Sequence, residues 1–344
     1  MRIVIMGTGG FAVPTFERLL ESNHDIAMVV TMPLRGTRSG KTTPVRNVAM
    51  EAGIPVFDPE NINDPVYLQQ IKSWNADLFF VCDYGKILAP HVIGASKFGG
   101  INLHGSLLPK YRGAAPINRA LLNGEPTVGV SVIYITPEVD AGPVVATSEP
   151  IPVFADETAV DVEKKLAIIG AKLIPNVVAQ IETGKIRPIP QQNGEASKAP
   201  KLKKHEGEID WRRSASEIVW QYQGLQPWPK IFTTCRINYH TDSKAKSEKQ
   251  TRLIIGRIRP IDDNIACEII ERFMANNSGA AGADIVPGMI LEASSQRMIV
   301  ATGSGLLQIY ELQPEGRTMT SAADFLRGHP LAVGQHFGKD VNGF

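Results

Sequence analysis

Short apolar runs alternate with helical patterns along the first half of the chain. Continuous runs at Arg2 to Met6, Ile26 to Thr31 and Leu78 to Cys82 predict buried strands, because runs of this length between turn residues are typical of such strands. The same criteria predict further strands and helices: strands at 55–57, 99–103 and 128–135, and helices ending near Ser22 and at 45–52, 67–74 and 160–183. This alternation predicts a doubly wound, Rossmann-like parallel sheet of the α/β class.

The second half of the chain has a different pattern. One predicted helix at 215–222 is followed by short strand-forming segments, which favour a small β-barrel. Those segments are 231–237, 250–258, 288–292, 297–302 and 306–311. Between the two halves, 187–204 has the Pro-rich and polar composition of an extended linker. We therefore expect a first domain at 1–188, a linker at 189–207 and a second domain at 208–344.

The composition is that of an ordinary globular protein. With 344 residues, 43% hydrophobic and 21% charged, the chain has about the length of two typical domains. It contains no apolar run of the roughly 20 residues that span a bilayer, and its N-terminus enters a strand without a cleavable leader. We therefore expect a cytoplasmic protein without membrane partners. The net charge of +1 confines any nucleic-acid site to a local basic surface.

Cysteine and histidine show no metal-binding pattern. Cys82, Cys235 and Cys267 form no metal-type pair, and Cys82 ends an apolar run, which favours a packing role. The histidines outside the motif described next also lack ligand-like spacing. We expect no metal.

An amide, an imidazole and a carboxylate are the candidate chemical groups. Asn102 and His104 lie two residues apart at the end of a predicted strand, so their side chains leave the same side of it. Both can donate hydrogen bonds to one oxyanion, and Asp140, in a later turn, would orient the imidazole. The set is typical of acyl transfer. Taken singly, the same residues are explained by a turn cap, a core histidine and an Asp-Ala-Gly turn.

Motifs in both halves resemble the methionyl-tRNA formyltransferase family. The first half has Asn-Leu-His-Gly-Ser-Leu-Leu-Pro at 102–109 and Tyr-Arg-Gly-Ala-Ala-Pro-Ile at 111–117, and Asn-x-His with a later Asp-x-Gly is similar to folate-dependent formyltransferases in general. The second half has Ala-Pro-Lys-Leu at 199–202, Glu-Gly-Glu-Ile-Asp-Trp at 206–211 and Gly-Leu-Gln-Pro-Trp-Pro at 224–229. The resemblance implies a Rossmann-like formyltransferase domain followed by an OB-like β-barrel that binds tRNA.

The resemblance also implies substrates and residue roles. The enzyme would transfer the formyl group of 10-formyltetrahydrofolate, its co-substrate, to the α-amino group of methionyl initiator tRNA, with Asn102, His104 and Asp140 as catalytic residues. Folate would be held by a set of residues from two segments: Ser106, Leu107, Leu108, Pro109, Tyr84, Ile87 and Leu88. A basic loop would approach the tRNA acceptor stem through Arg35, Arg38 and Lys41. Asp83 departs from the family, which commonly has Ala at this position. We also expect the protein to be a monomer.

Three alternatives remain open at this level. The Gly-Thr-Gly-Gly-Phe-Ala sequence at 7–12 fits a dinucleotide turn and favours an NAD(P) enzyme, although the second strand ends without the acid that holds a ribose. A formyltransferase acting on an amino-sugar nucleotide would share the catalytic residues. The non-enzymatic alternative is an RNA-binding module with a degenerate catalytic half. A set of basic residues in the second domain alternates with strand-forming residues and forms either a basic barrel face or a solvated one, and the resemblance favours tRNA contact: Lys244, Lys246, Lys249, Arg252, Arg257 and Arg259.

Overall fold

The computed structural model describes residues 1–34, 42–239, 247–276 and 284–338. It divides into two compact units, one formed by 1–120 with 125–201 and the other by 121–124 with 202–344. The predicted boundaries at 188 and 207 stay predictions.

A mostly parallel sheet of seven strands forms the centre of the first unit. Its strands are β1 Arg2–Gly7, β2 Asp25–Val30, β3 Val56–Phe57, β4 Leu78–Cys82, β5 Gly100–His104, β8 Ser131–Tyr134 and β9 Val144–Thr147. Their order is β3-β2-β1-β4-β5-β8-β9, and the pairs from β3 to β5 are parallel, whereas β8 pairs antiparallel with both β5 and β9. The predicted doubly wound α/β fold is confirmed, with an antiparallel edge that the apolar pattern did not indicate.

Short strands and helices complete this unit. The strands are β6 Arg112–Gly113, β7 Thr127–Val128, β10 Ile151–Pro152 and β11 Lys198–Ala199, and the helices are α1 Val13–Leu20, α2 Pro44–Glu51, α3 Leu68–Ser73, α4 Pro90–Ile93, α6 Ala159–Glu182 and α5 Pro116–Leu122, whose last two residues belong to the second unit. Proline in the first turn favours the starts of α1, α2 and α4, because that position needs no N–H donor. Thr158 and Asp161 form a capping box that starts α6.

The strand order creates a crevice at one edge of the sheet. The chain goes from β1 to β2 on one side, and β4 pairs with β1 on the other. Ligands of such sheets bind beyond the carboxyl ends of the strands at this switch point. The carboxyl ends of β1, β4 and β5 lead into Thr8, Asp83 and Gly105 respectively.

The second unit contains two four-stranded antiparallel sheets. Their strands are β12 Ile231–Tyr239, β13 Ser247–Ile255, β14 Ile258–Pro260, β15 Ile290–Ala293, β16 Met298–Ala301, β17 Leu306–Ile309, β18 Glu311–Pro314 and β19 Thr320–Ser321; its helices are α7 Ala215–Gly224, α8 Asp263–Asn276 and α9 Ala322–Gly328. Trp211, Ile231 and Cys235 belong to its buried core. The β-rich second half agrees with the prediction, and the closed OB-like barrel stays a prediction.

Candidate active site

Strand β5 places Asn102 and His104 on one face of the sheet. Its alternate residue, Leu103, faces α6, where a Cβ added to Gly170 would lie 2.5 Å from Leu103 Cδ2. That close approach leaves Asn102 and His104 on the opposite face, as the pleat requires. His104 is 5% exposed. Burial of a polar ring requires hydrogen-bond partners, and both ring nitrogens of His104 face polar atoms.

The turn after β8 brings Asp140 to the same place. Asn102 Nδ2 donates to Asp140 Oδ1 at 3.2 Å, and the Gly113 N–H donates to Asp140 Oδ2 at 2.9 Å. His104 Nδ1 lies 3.6 Å from Asp140 Oδ2. The structure thus brings together the three residues that the sequence singled out, although 36 residues separate His104 from Asp140.

The tautomer of His104 follows from its partners. Nε2 lies 2.9 Å from the carbonyl oxygen of Tyr111, which can only accept, so Nε2 carries a hydrogen. Nδ1 then faces the Asp140 carboxylate. The bond from Nε2 to Tyr111 thus fixes which edge of the imidazole faces the carboxylate.

Two backbone groups at this site were not singled out by sequence reasoning. They are the Tyr111 carbonyl and the Gly113 N–H, which orient His104 and Asp140. Tyr111 has a φ of 64°, a left-handed conformation that aims its carbonyl at the imidazole. The Tyr-Arg-Gly motif signalled the segment, but backbone groups carry no signature of their own.

A cavity of ≈ 380 Å³ lies beside the Asp140 turn. Its walls come from residues 112–114, from Glu138, Val139 and Ala141, and from residues 196–200. Small residues such as Gly113, Ala114 and Ala141 share these walls with the charged residues Arg112, Glu138 and Lys198. The cavity is lined by Val139 and Ala141, the chain neighbours of Asp140, but not by Asn102, His104 or Asp140.

The glycine-rich turn after β1 faces a carboxylate, not an open anion site. Asp83 as a whole residue is exposed, but its carboxylate is turned over Gly9, where an added Cβ would lie 1.7 Å from Asp83 Oδ2. Desolvation in the crevice, reinforced by the charge of Glu163, raises the pKa of Asp83 to about 6. A dinucleotide pyrophosphate at this turn would meet an ionised carboxylate at neutral pH. This repulsion argues against the NAD(P) alternative.

The predicted folate residues after β5 form a tightly bonded loop. Ser106 Oγ donates to the Lys110 carbonyl at 2.7 Å, and Ser131 Oγ accepts from the Leu108 N–H at 3.0 Å. Leu108 is buried, whereas Leu107 and Pro109 are partly exposed. The Ser106 hydroxyl therefore has an internal partner, and the loop is fixed by the protein itself.

The predicted folate residues after β4 differ in exposure. The side chains of Tyr84 and Leu88 lie in a buried apolar cluster, and Ile87 is 62% exposed. Burial raises the pKa of Tyr84 to about 12, and among the described residues its hydroxyl has no hydrogen-bond partner. Only Ile87 of these three presents its side chain to a ligand, so Tyr84 and Leu88 shape this segment from beneath.

The predicted tRNA contacts are described only in part. Arg35, Arg38 and Lys41 lie outside the described residues, as do Lys244 and Lys246, and the side chain of Lys249 is not described. In the second unit, the Arg252 guanidinium lies 3.8 Å from the centre of the Phe232 ring, and that of Arg257 lies 4.7 Å from the Tyr310 ring. Such pairs present both charge and an aromatic edge.

The described ranges contain neither a candidate metal site nor a helix that could span a membrane. No group of three or more His, Cys, Asp or Glu side chains there is arranged to hold a metal ion. None of the helices in those ranges has both the length and the apolar character needed to cross a bilayer. Cys82 is buried, and burial raises the pKa of its thiol.

Both halves of the chain match known protein families. The family described as Formyl transferase matches residues 1–178, and Formyl transferase, C-terminal domain, matches 201–330. The chain therefore belongs to the formyltransferase family. Its relatives there include methionyl-tRNA formyltransferases from Rhodopirellula baltica, 39% identical over 97% of this chain and 96% of that protein, and from Methylacidiphilum infernorum, 37% identical over 98% of each.

Solved structures show the same fold at much lower identity. An N-formyltransferase from Helicobacter canadensis, crystallised with folinic acid and dTDP-3-aminofucose, superposes with a TM-score of 0.62. The match covers 89% of this chain and 98% of that one, at 17% identity. It supports the fold alone.

Proposed function

We propose that the protein transfers the formyl group of 10-formyltetrahydrofolate to the α-amino group of methionyl initiator tRNA. The observation that carries the proposal is the convergence of Asn102, His104 and Asp140 at the carboxyl edge of the sheet. Full-length similarity to proteins named methionyl-tRNA formyltransferase supports the choice of acceptor. Asn102, His104 and Asp140 are the catalytic residues of this proposal.

The reaction requires one attack and one proton transfer. The amine nitrogen attacks the formyl carbon, and a C–N bond to the acceptor forms as the bond to N10 of the folate breaks. The second Nδ2 hydrogen of Asn102 stabilises the developing oxyanion, with the imidazole of His104 beside it. The His104 and Asp140 pair takes the proton lost by the amine, which is returned to N10 of the leaving folate.

The substrates occupy different parts of the crevice in this proposal. Folate lies along 106–109 and 84–88, where the loop after β5 is fixed and Ile87 is exposed. The residues proposed for the tRNA acceptor stem are Arg35, Arg38 and Lys41, and the second domain, 208–344, with its OB-like barrel binds tRNA through a basic face that includes Arg252 and Arg257. The first domain is 1–188 and the linker 189–207. The enzyme acts in the cytoplasm as a monomer.

The test is transfer of labelled formyl from 10-formyltetrahydrofolate to methionyl initiator tRNA, with methionyl elongator tRNA, free methionine and an amino-sugar nucleotide as parallel acceptors. Product on the initiator tRNA alone is expected. Product on the sugar nucleotide alone would replace the proposed acceptor. The KM for tRNA should also rise steeply with salt, because phosphate contacts release counterions, whereas that for a small amine would change little.

A further inference from the structure

A segment outside both family matches contacts the candidate site. Residues 189–200, here named the strap, lie between the matched regions 1–178 and 201–330. At one end, Ile189 and Val144 exchange two backbone hydrogen bonds of 2.8 Å. At the other end, β11 pairs in parallel with β6. The strap is thereby tied to segments on both sides of Asp140.

Gln191 of the strap uses its whole amide group on the site. Its Nε2 donates to the carbonyl oxygens of Asp140 and Gly142, both at 2.8 Å, and its Oε1 accepts from Arg112 Nε at 2.9 Å. The orientation of the amide follows from these partners, because a carbonyl only accepts and a guanidinium only donates. Gln191 therefore clamps the Asp140 turn on both sides of Ala141.

The clamped turn has an unusual backbone. Asp140 has a φ of 51°, in the left-handed region where non-glycine residues are uncommon and where Asp and Asn are the most frequent of them. Two residues on, a Cβ added to Gly142 would lie 1.7 Å from the Tyr134 carbonyl oxygen. External hydrogen bonds are what keep such a backbone in one conformation. The two bonds from Gln191 supply them at the residue that carries the carboxylate.

The strap also supports the group that binds the carboxylate. The Gly113 N–H, which donates to Asp140 Oδ2, belongs to β6 and is held beside β11. The approach is so close that a Cβ on Gly113 would lie 2.6 Å from the Ala199 carbonyl oxygen. The strap thus supports Asp140 from its backbone and from its carboxylate.

We propose that Gln191 is a positioning residue for formyl transfer, which fixes the Asp140 turn and so aims the carboxylate at His104. The inference rests on the proposed role of Asp140. With this role, the strap between the two matched regions contributes a residue to the active site. Misplacing a catalytic group by about 1 Å costs on the order of a hundredfold in rate.

The test uses two variants that separate positioning from simple anchoring. Gln191→Ala removes all three bonds, whereas Gln191→Glu keeps an acceptor for Arg112 but places a carboxylate against two carbonyl oxygens. A structural role through Arg112 would be rescued by Glu, and the positioning role would not. Asn193→Ala is the matched control, because Asn193 Oδ1 also accepts from Arg112 but does not contact the turn.

Steady-state formyl transfer and hydrogen exchange are measured on the full chain. We expect both Gln191 variants to lose about 10- to 100-fold in kcat, with KM for folate within about twofold and Asn193→Ala like wild type. The peptide covering 135–144 should exchange faster in both. A Gln191→Glu protein with wild-type kcat and wild-type exchange would overturn the inference. The exchange result does not depend on the acceptor, and inactive wild-type protein would count against the proposed function instead.

Discussion

At the scale of single residues, the Asp83 carboxyl is desolvated and lies against Gly9. The pKa of its carboxyl is raised from 3.8 to about 6, first by desolvation and then by Glu163. A raised carboxyl pKa means that the fold favours the protonated form. The resulting stability is fully present below pH 3.8 and is lost as pH rises through about 6.

Asp83→Asn should remove this dependence. We expect the free energy of unfolding of the wild type to fall, relative to the variant, between pH 4 and pH 6, in about the window set by these two pKa values. Chemical denaturation at several pH values measures it. Asp156→Asn, at an exposed turn, is the control. Parallel curves for wild type and Asp83→Asn would show that Asp83 does not titrate in this range.

Tyr84 and Tyr111 offer a matched pair of hydroxyl deletions. The Tyr84 hydroxyl is buried and has no partner among the described residues, whereas Tyr111 Oη donates to Glu125 at 2.8 Å. An unsatisfied buried hydroxyl costs about 1–3 kcal/mol, and a made bond contributes about 1 kcal/mol. Tyr84→Phe should therefore raise the free energy of unfolding and Tyr111→Phe should lower it. Loss of stability in Tyr84→Phe would reveal a partner for its hydroxyl.

At the scale of elements, the contact of α6 with β5 positions the catalytic strand. An added Cβ at Gly170 would lie 2.5 Å from Cδ2 of Leu103, the residue between Asn102 and His104 in β5. Gly170→Ala should cost about 1–3 kcal/mol by overpacking and should lower kcat. Adding Leu103→Val to the Gly170→Ala protein should restore part of the lost stability and part of the lost kcat. Unfolding curves and formyl transfer for the double-mutant cycle measure this coupling, and purely additive effects would contradict it.

Elements were predictable from sequence where local pattern decides. The strand predicted at Leu78 to Cys82 has those bounds, and the long helix predicted at 160–183 lies at Ala159–Glu182. Strand 128–135 was wrong as one element, because Gly129 lies against Leu107 and Ser148 and the segment divides into β7 and β8. Helix α8 was missed, although Ala266, Ile269 and Phe273 have helical spacing.

The site was predictable in its side chains and not in its supports. Asn102, His104 and Asp140 have side chains whose chemistry signals a site. The supports are different: Tyr111 and Gly113 act through backbone groups. Gln191 acts through its side chain on Gly142 and Asp140, which lie 49 and 51 residues earlier in the chain. Only the folded structure reveals these hydrogen-bond partners, because the polar composition of a linker does not indicate which residues it bonds to.

At the scale of the whole molecule, the fold assembles one reaction site from distant segments. Strand β5 supplies the amide and imidazole, the turn after β8 supplies the carboxylate, and the strap holds that turn. The central claim is that this assembly performs formyl transfer.

The most direct test is the single-turnover rate of formyl transfer to methionyl initiator tRNA by wild type and Asn102→Ala, with Asn176→Ala, at an exposed position of α6, as the control. Loss of one oxyanion donor costs about a hundredfold to a thousandfold. We predict that loss for Asn102→Ala, with unchanged folding and folate binding. A folded Asn102→Ala protein with a wild-type rate would contradict the account.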